Sequence, residues 1–393
     1  MRIPNEEMKM FRVIQFTMLS ACILQIASIS AQETQRAKEK TKSDRAAAGS
    51  LQLENSKASP GIRVQLQWTP QAQFAGEIAA QAKGYYAAEN LRVTLVPGGS
   101  AIDVIAAGSA PDGPEFTLSW VPKALAAVEN GKSDLVSIAQ IFQRSGIRSI
   151  SWKASNIDSA DDFKGKKIGV WGFGNEHEIV AGARRHGLKP GVDYEKIIQD
   201  FGMEALLKHQ VDAAAAMSYN EFGQLLETKN PATGRLYQPQ DFNVIDWNAE
   251  GTAMLQDAIF ARKSWLAQPG HEDIAVRFLR ATFKGWMFCR DNPSKAVDYV
   301  VNVGTRRGRG HQVWQLNEVN PLIWPSPNGI GITDQHLWDQ TVKIAMDGGV
   351  LKSAPAPGAF RNDLAEKALA GIAGDVKGKA FKKGTAVVTE GGN

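Results

Sequence analysis

Cysteine is almost missing from this chain, and its scarcity removes whole classes of chemistry. Only Cys22 and Cys289 occur in 393 residues. With Cys22 inside the N-terminal segment, Cys289 has no intramolecular disulfide partner after processing, and neither a thiolate nucleophile nor a cysteine metal site is expected. The six histidines, His177, His186, His209, His271, His311 and His336, show no metal-ligand spacing. Gly-x-Ser-x-Gly and Gly-x-x-x-x-Gly-Lys are absent, which removes the nucleophile elbow and the phosphate-cradling loop. No charge of one sign dominates either. The net charge of +4 resides in the basic stretches 1–12, 32–57 and 377–393, so the body is close to neutral and nucleic acid is not the expected partner. Arg306, Arg307 and Arg309 form a local basic cluster, but neighbouring glycines make it read as a solvated loop. No cofactor and no metal are expected.

One long apolar run is present, from Val13 to Ile29, preceded by Lys9 and Arg12 and followed by the small residues Ser28, Ser30 and Ala31. This reads as an export signal over 1–31. Glu6 and Glu7 are unusual in a basic leader, which leaves Met8 and Met10 as alternative starts. Leu19-Ser20-Ala21-Cys22 has the order of a bacterial lipobox, which makes Cys22 a candidate lipid anchor and the only expected membrane contact. Plain cleavage near Ala31 is the alternative, since Ile23-Leu24-Gln25-Ile26 continues apolar. Either way a periplasmic or extracytoplasmic monomer is expected. Residues 32–60 are polar and lack aromatics, as a disordered spacer does, and 376–393 read as a basic flexible tail.

From Gly61 onward short β-branched runs alternate with helical patterns. Val64–Leu66, Leu91–Val96, Phe116–Ser119 and Leu135–Ile141 read as strands, and helices ending at Gly84 and Gly131 lie among them. The pattern restarts with Lys166–Val170, Lys196–Gln199 and Ala213–Met217, and returns at Ala258–Ala261 before a long helix over 272–290. The fold class predicted is therefore α/β, with two mixed sheets flanked by helices. Lobe 1 spans 61–150 and 259–375, and lobe 2 spans 151–258. Crossings near Ile150–Lys153 and Ala258–Lys263 form a two-stranded hinge, the arrangement of a two-lobed periplasmic binding protein of type II-like build.

The stretch Ile168-Gly169-Val170-Trp171-Gly172-Phe173-Gly174-Asn175-Glu176-His177-Glu178 runs from strand to glycine-spaced turn to helix start, where open α/β sheets hold ligands. Trp171 and Phe173 bracket Gly172 and suit a flat ring better than a phosphate.

A family resemblance emerges from three sets of residues. Gln67-Trp68-Thr69-Pro70-Gln71-Ala72-Gln73-Phe74-Ala75-Gly76 is followed by Lys83-Gly84-Tyr85-Tyr86. Phe163-Lys164-Gly165-Lys166-Lys167-Ile168-Gly169-Val170 leads to Trp171 and Glu176. Met217-Ser218-Tyr219-Asn220-Glu221 and Glu250-Gly251-Thr252-Ala253-Met254 complete the set. In this order, over about 61–350, the chain resembles the solute-binding proteins related to the thiamine-pyrimidine synthase and sulfonate-binding family. Its Gly-Phe-Gly-Asn-Glu and Tyr-Asn-Glu pieces look most like the branch that binds thiamine-precursor pyrimidines or riboflavin. The resemblance implies capture of a small heteroaromatic ligand for an ABC permease and its ATPase. A sulfonate- or nitrate-type binding protein and a ligand-sensing module are the alternatives among binders.

Each candidate contact has a packing alternative. Trp68 and Phe74 stand where the family places an aromatic floor, or else fill the core. Gln71 lies between them, and its amide can donate to and accept from a ring edge. Ser119 and Trp120 end a strand at its carboxyl side; Trp120 before Pro122 is equally a packing anchor. Asn175 and Glu176 open a helix, where Glu176 acts as cap, ligand acceptor or both, while His177 is expected to face solvent. Helix position makes Glu176→Gln the substitution expected to weaken binding more than Glu178→Gln. Tyr219, Asn220 and Glu221 follow a strand's carboxyl end and should face a cleft; Asp246 and Trp247 are weaker candidates.

The enzymatic alternative is the synthase, which makes the pyrimidine from histidine and pyridoxal phosphate with iron. Its cofactor-holding lysine aligns with Ser119 and its reactive histidine with Lys123. Its cysteine-rich motif falls on Thr252-Ala253-Met254-Leu255-Gln256. All three departures argue against an enzyme.

Overall fold

The computed structural model describes residues 59–172 and 174–393. The expected export signal, Cys22, the spacer up to residue 58, and Phe173 lie outside the described residues.

Ten strands carry the fold among the described residues. They are β1 Gly61–Gln65, β2 Arg92–Val96, β3 Phe116–Ser119, β4 Leu135–Gln140, β5 Ile147–Trp152, β6 Lys167–Val170, β7 Glu195–Ile198, β8 Ala213–Met217, β9 Phe242–Asp246 and β10 Ala258–Arg262. They form two five-stranded sheets, ordered β2-β1-β3-β10-β4 and β7-β6-β8-β5-β9. In the first, β1 runs parallel to β2 and β3, and β10 lies antiparallel between β3 and β4. In the second, β6 runs parallel to β7 and β8, and β5 lies antiparallel between β8 and β9. Each sheet thus receives, as its one reversed strand, the strand that the chain forms on arriving from the other. Helical crossovers make the remaining connections right for parallel pairing.

The chain leaves the first sheet through residues 141–146 and returns through 247–257. Both crossings precede the positions read from sequence, Ile150–Lys153 and Ala258–Lys263. The first was hidden because Ile141 and Phe142 are apolar and buried, so the strand pattern continues through the break. Ile150 itself sits mid-strand in β5, paired with Ala214 and Val244. Gln256 ties the crossings together. Its amide donates to Ser145 Oγ (2.9 Å) and to Glu178 Oε1 (3.0 Å), and its Oε1 accepts from the Gly146 N–H at 3.0 Å.

Close glycine contacts set the helix packing behind the first sheet. The helix Ala75–Ala82 packs on the long helix His271–Asp291. A Cβ on Gly285 would lie 2.0 Å from the Gly76 carbonyl oxygen, and one on Gly76 would lie 2.3 Å from atoms of the Trp286 ring. Only glycine lets these backbones approach so closely.

The stretch 376–393, expected to be a flexible tail, is docked. Backbone N–H groups of Ser326 and Ile330 donate to the Lys377 and Val376 carbonyls, Lys383 pairs with Glu318, and Lys229 meets Glu390 at 2.7 Å. The Gly391 N–H reaches the Glu227 carbonyl at 3.0 Å. These long-range pairings leave no trace in local composition, in which lysine and glycine are the commonest residues. Among the described residues no helix is long and apolar enough to cross a membrane.

Candidate functional site

Parallel strands leave their carboxyl ends, and the loops that follow, on one edge of a sheet. Here the edges of both sheets line one cavity of about 740 Å³, within the roughly 300–1,000 Å³ range of small-molecule sites. Gln67 and Trp68 follow β1, residues 99–103 follow β2, and Trp120 follows β3. Across from them Trp171, Gly174 and Asn175 follow β6, Phe201 follows β7, and Tyr219, Asn220 and Glu221 follow β8.

The walls are aromatic. Phe201 contacts both Trp68 and Trp171, at ring-centroid distances of 4.6 and 6.1 Å, and is nearly parallel to Trp171 at 19°. Phe201 is 52% exposed, so apolar surface is open at this wall. Among the described residues the Trp171 indole N–H is buried without a partner, which carries a desolvation cost of about 1–3 kcal/mol.

A polar chain runs beneath Trp120. Its indole N–H donates to Asp257 Oδ1 at 2.9 Å, Gln73 donates to Asp257 Oδ2 at 2.7 Å, and Gln71 donates to Gln73 Oε1 at 2.8 Å. Asp257 adopts a left-handed φ of 44° immediately before β10, which an Asp tolerates better than most residues. Burial pushes its carboxyl up to about 6, against the two donors and the nearby Lys123. Lys123 holds its ammonium 5.1 Å from the Trp120 ring centre and makes no ion pair among the described residues. Desolvation lowers it to about 8, although Asp103, Glu176 and Asp257 favour its charge.

On the opposite wall Glu221 Oε2 accepts from the Met217 N–H (2.9 Å) and Oε1 from the Asn220 amide (2.6 Å). Burial nevertheless raises Glu221 to about 7. Asn220 Oδ1 also lies 3.0 Å from His311 Nε2, whose Nδ1 meets buried Glu227 at 2.7 Å. The Asn175 amide donates to the Gly172 carbonyl at 2.8 Å, which holds the turn after β6.

Of the residues singled out from sequence, Trp68, Gln71, Trp120, Trp171, Asn175, Tyr219, Asn220 and Glu221 all line this cavity. Phe74 and Ser119 do not. Phe74 is fully buried in the first half's core, and Ser119 is sealed between sheet strands, opposite Ala258. Phe74 ends the short 3-10 turn Ala72–Phe74 and Ser119 ends β3, and both side chains point inward, a phase that sequence spacing alone left open. Glu176 turns back on its own loop, accepting the Gly174 N–H at 3.0 Å with Lys196 at 3.5 Å, and its carboxylate does not line the cavity. His177, expected to face solvent, lines it, and desolvation lowers its pKa. Glu178, expected at a solvated helix end, is 3% exposed. Trp247 is fully buried against Gly182, and Asp246 pairs with Arg148 at 3.1 Å.

Phe201, Lys123, Gln73 and Asp257 were not singled out as contacts. Phe201 precedes Gly202 just after β7, so the rule that found Trp171 applied to it as well. Asp257 gives no local signal, because its partners Trp120 and Gln73 lie far away in sequence. Among the described residues no group of three or more His, Cys, Asp or Glu could hold a metal ion.

Comparisons with known proteins agree with this arrangement. The chain is 26% identical to the riboflavin-binding protein RibY of Chloroflexus aurantiacus over 77% of its own length and 85% of that protein's. It is 23% identical to the formylaminopyrimidine-binding protein of Halalkalibacterium halodurans, over 72% and 83% of the two chains. The periplasmic aliphatic sulphonate binding protein SsuA of Escherichia coli superposes with a TM-score of 0.57 at 14% identity, over 76% of this chain and 90% of that one. That likeness is one of fold, and it makes the two-sheet architecture a periplasmic binding protein fold. Residues 71–296, more than half of the sequence and nearly every residue of the cavity wall, match a single family description, and the chain belongs to the NMT1/THI5 like family.

Proposed function

We propose that the protein is the extracytoplasmic solute-binding component of an ABC importer and that it captures a flat heteroaromatic ligand between its two sheets. The observation that carries this reading is the cavity at the joined carboxyl edges, walled by Trp68, Phe201 and Trp171 and edged by amides and carboxyls. A ring entering there stacks on indole faces, while Gln71, Asn175, Asn220 and Glu221 read its edge. Selectivity follows because a ligand lacking one edge group leaves a buried polar atom unpaired. The relatives' names, riboflavin-binding and formylaminopyrimidine-binding, support the ligand class. Hinge movement at the two crossings would close the cleft, and the closed form would dock on a permease served by a separate ATPase. Monomeric action and a lipid anchor at Cys22 belong to the same reading.

The reading has no catalytic residues. At the three positions where the resembling synthase carries its chemistry, this chain has buried Ser119, Lys123 and the segment 252–256. Incubation with pyridoxal phosphate, histidine and iron should yield no pyrimidine. A single stoichiometric equivalent would instead establish an enzyme. Mass spectrometry of small molecules released from freshly purified, denatured protein should find a pyrimidine or a flavin. Recovery of an aliphatic sulfonate would replace the heteroaromatic reading with the sulfonate-type one.

A further inference from the structure

The main cavity is continued by a second one of about 470 Å³, and the two share Trp68, Gln71, Phe201, Asn220 and Glu221 as walls. Beyond Trp68 the lining changes from aromatic to basic and polar: Arg306, Arg307, Gln224 and Gln312, with Gly391 and Asn393 of the docked C-terminal stretch. Arg306 and Arg307 belong to the cluster whose sequence reads as a solvated loop, and the fold brings these two beside the ligand slot, whereas Arg309 pairs with Asp298 at 2.9 Å. Arg306 makes no ion pair and no side-chain hydrogen bond among the described residues, and Arg307 is held only by Gln224 Oε1 at 2.7 Å. Among the described residues neither guanidinium has a carboxylate within ion-pair distance, and Glu221 is the carboxyl that shares this lining, with Arg307 acting to lower its pKa against its burial. Gln312 is fixed by accepting the Ala72 N–H at 2.8 Å, so the loop opposite the arginines is anchored.

We infer that the natural ligand is a heteroaromatic bearing a flexible arm that ends in a phosphate ester, with the ring between Trp68 and Trp171 and the phosphate at Arg306 and Arg307. This rests on the capture reading above and narrows its ligand class. Two guanidiniums supply two charges and several fork-like donors, which match a phosphate monoester dianion better than a single-charge carboxylate. The shared walls give the arm its path. An uncharged ring alone would fill the first cavity and leave the second to water.

The test compares paired probes by calorimetry on the full chain: riboflavin against riboflavin 5′-phosphate, and a hydroxymethyl aminopyrimidine against its phosphate ester. The phosphorylated member of at least one pair should bind about tenfold or more tightly. That advantage should shrink in high salt and vanish in Arg306→Ala/Arg307→Ala, while the unphosphorylated member binds the variant as it binds wild type. Both side chains are exposed, and circular dichroism and melting temperature would verify that the variant is folded. Equal affinity within each pair, or an advantage that survives the double substitution, would overturn this inference and leave the capture reading intact. Failure of all four probes to bind would overturn both.

Discussion

Phe201 places its ring 4.6 Å from that of Trp68, although the two follow strands of different sheets. The contact closes one side of the slot whose far wall is Trp171. If Phe201 is a wall of that slot, Phe201→Ala removes stacking area from the ligand as well as from Trp68. Heteroaromatic affinity should fall by roughly 1–2 kcal/mol, about five- to thirtyfold, as read by calorimetry. An unchanged dissociation constant would show that the ligand ring lies elsewhere.

Asp257→Asn tests the polar floor. The carboxylate accepts from two donors, Trp120 Nε1 and Gln73 Nε2. An amide offers one acceptor and one donor group, so one contact becomes donor against donor. A loss of about 1–3 kcal/mol in unfolding free energy is expected, together with weaker binding as Trp120 loses its anchor. Denaturant melts and titration of tryptophan fluorescence with riboflavin read the two effects separately.

Neither Glu176 nor Glu178 takes the role that its helix position suggests: Glu176 turns onto its own loop and Glu178 is buried. Glu176→Gln keeps an acceptor for the Gly174 N–H and should change affinity by less than about threefold, a few tenths of a kcal/mol. Glu178 is buried beside Gln256, and burial raises it to about 8 from an ordinary 4.5. Between those values the folded chain keeps a proton that the unfolded chain releases, so this group lowers stability as pH rises from about 4.5 to 8. Glu178→Gln has no such proton. Its melting temperature should fall less than that of wild type between pH 5 and 8, with a difference on the order of a few °C at pH 8. Glu77, Glu221 and Asp257 are raised in the same direction, so the slope is reduced but not abolished. Parallel melting curves for the two proteins would contradict the assignment.

Gly285→Ala probes the helix pair behind the first sheet. The added carbon would lie 2.0 Å from a backbone oxygen of Gly76, which no side-chain rotation relieves. Overpacking of this kind costs typically 1–3 kcal/mol. The melting temperature should drop while affinity for the ligand, measured well below the transition, stays near that of wild type.

Much of this is legible in the sequence. Strands such as Phe116–Ser119 and Ala213–Met217 stand out because β-branched, aromatic or small residues stop at turn residues, and the rule that ligands gather past carboxyl ends then located eight lining residues. Phase within a strand or first turn was less visible, which is why Phe74 and Ser119 read as contacts when both are core. Long-range partners were invisible. Nothing near Asp257 in sequence announces Trp120, and nothing in 376–393 announces Glu227. The strand β9, Phe242–Asp246, went unread because a turn-rich stretch precedes it and the crossing begins directly after it.

The central claim is that the cavity between Trp68 and Trp171 takes a flat heteroaromatic. Titration of the purified protein with riboflavin, a formylaminopyrimidine and an alkanesulfonate, followed by tryptophan fluorescence and by melting temperature, tests it most directly. The account predicts that one of the two ring compounds quenches the fluorescence and raises the melting temperature by linkage, and that Trp171→Ala abolishes both responses. A response to the alkanesulfonate alone would contradict it.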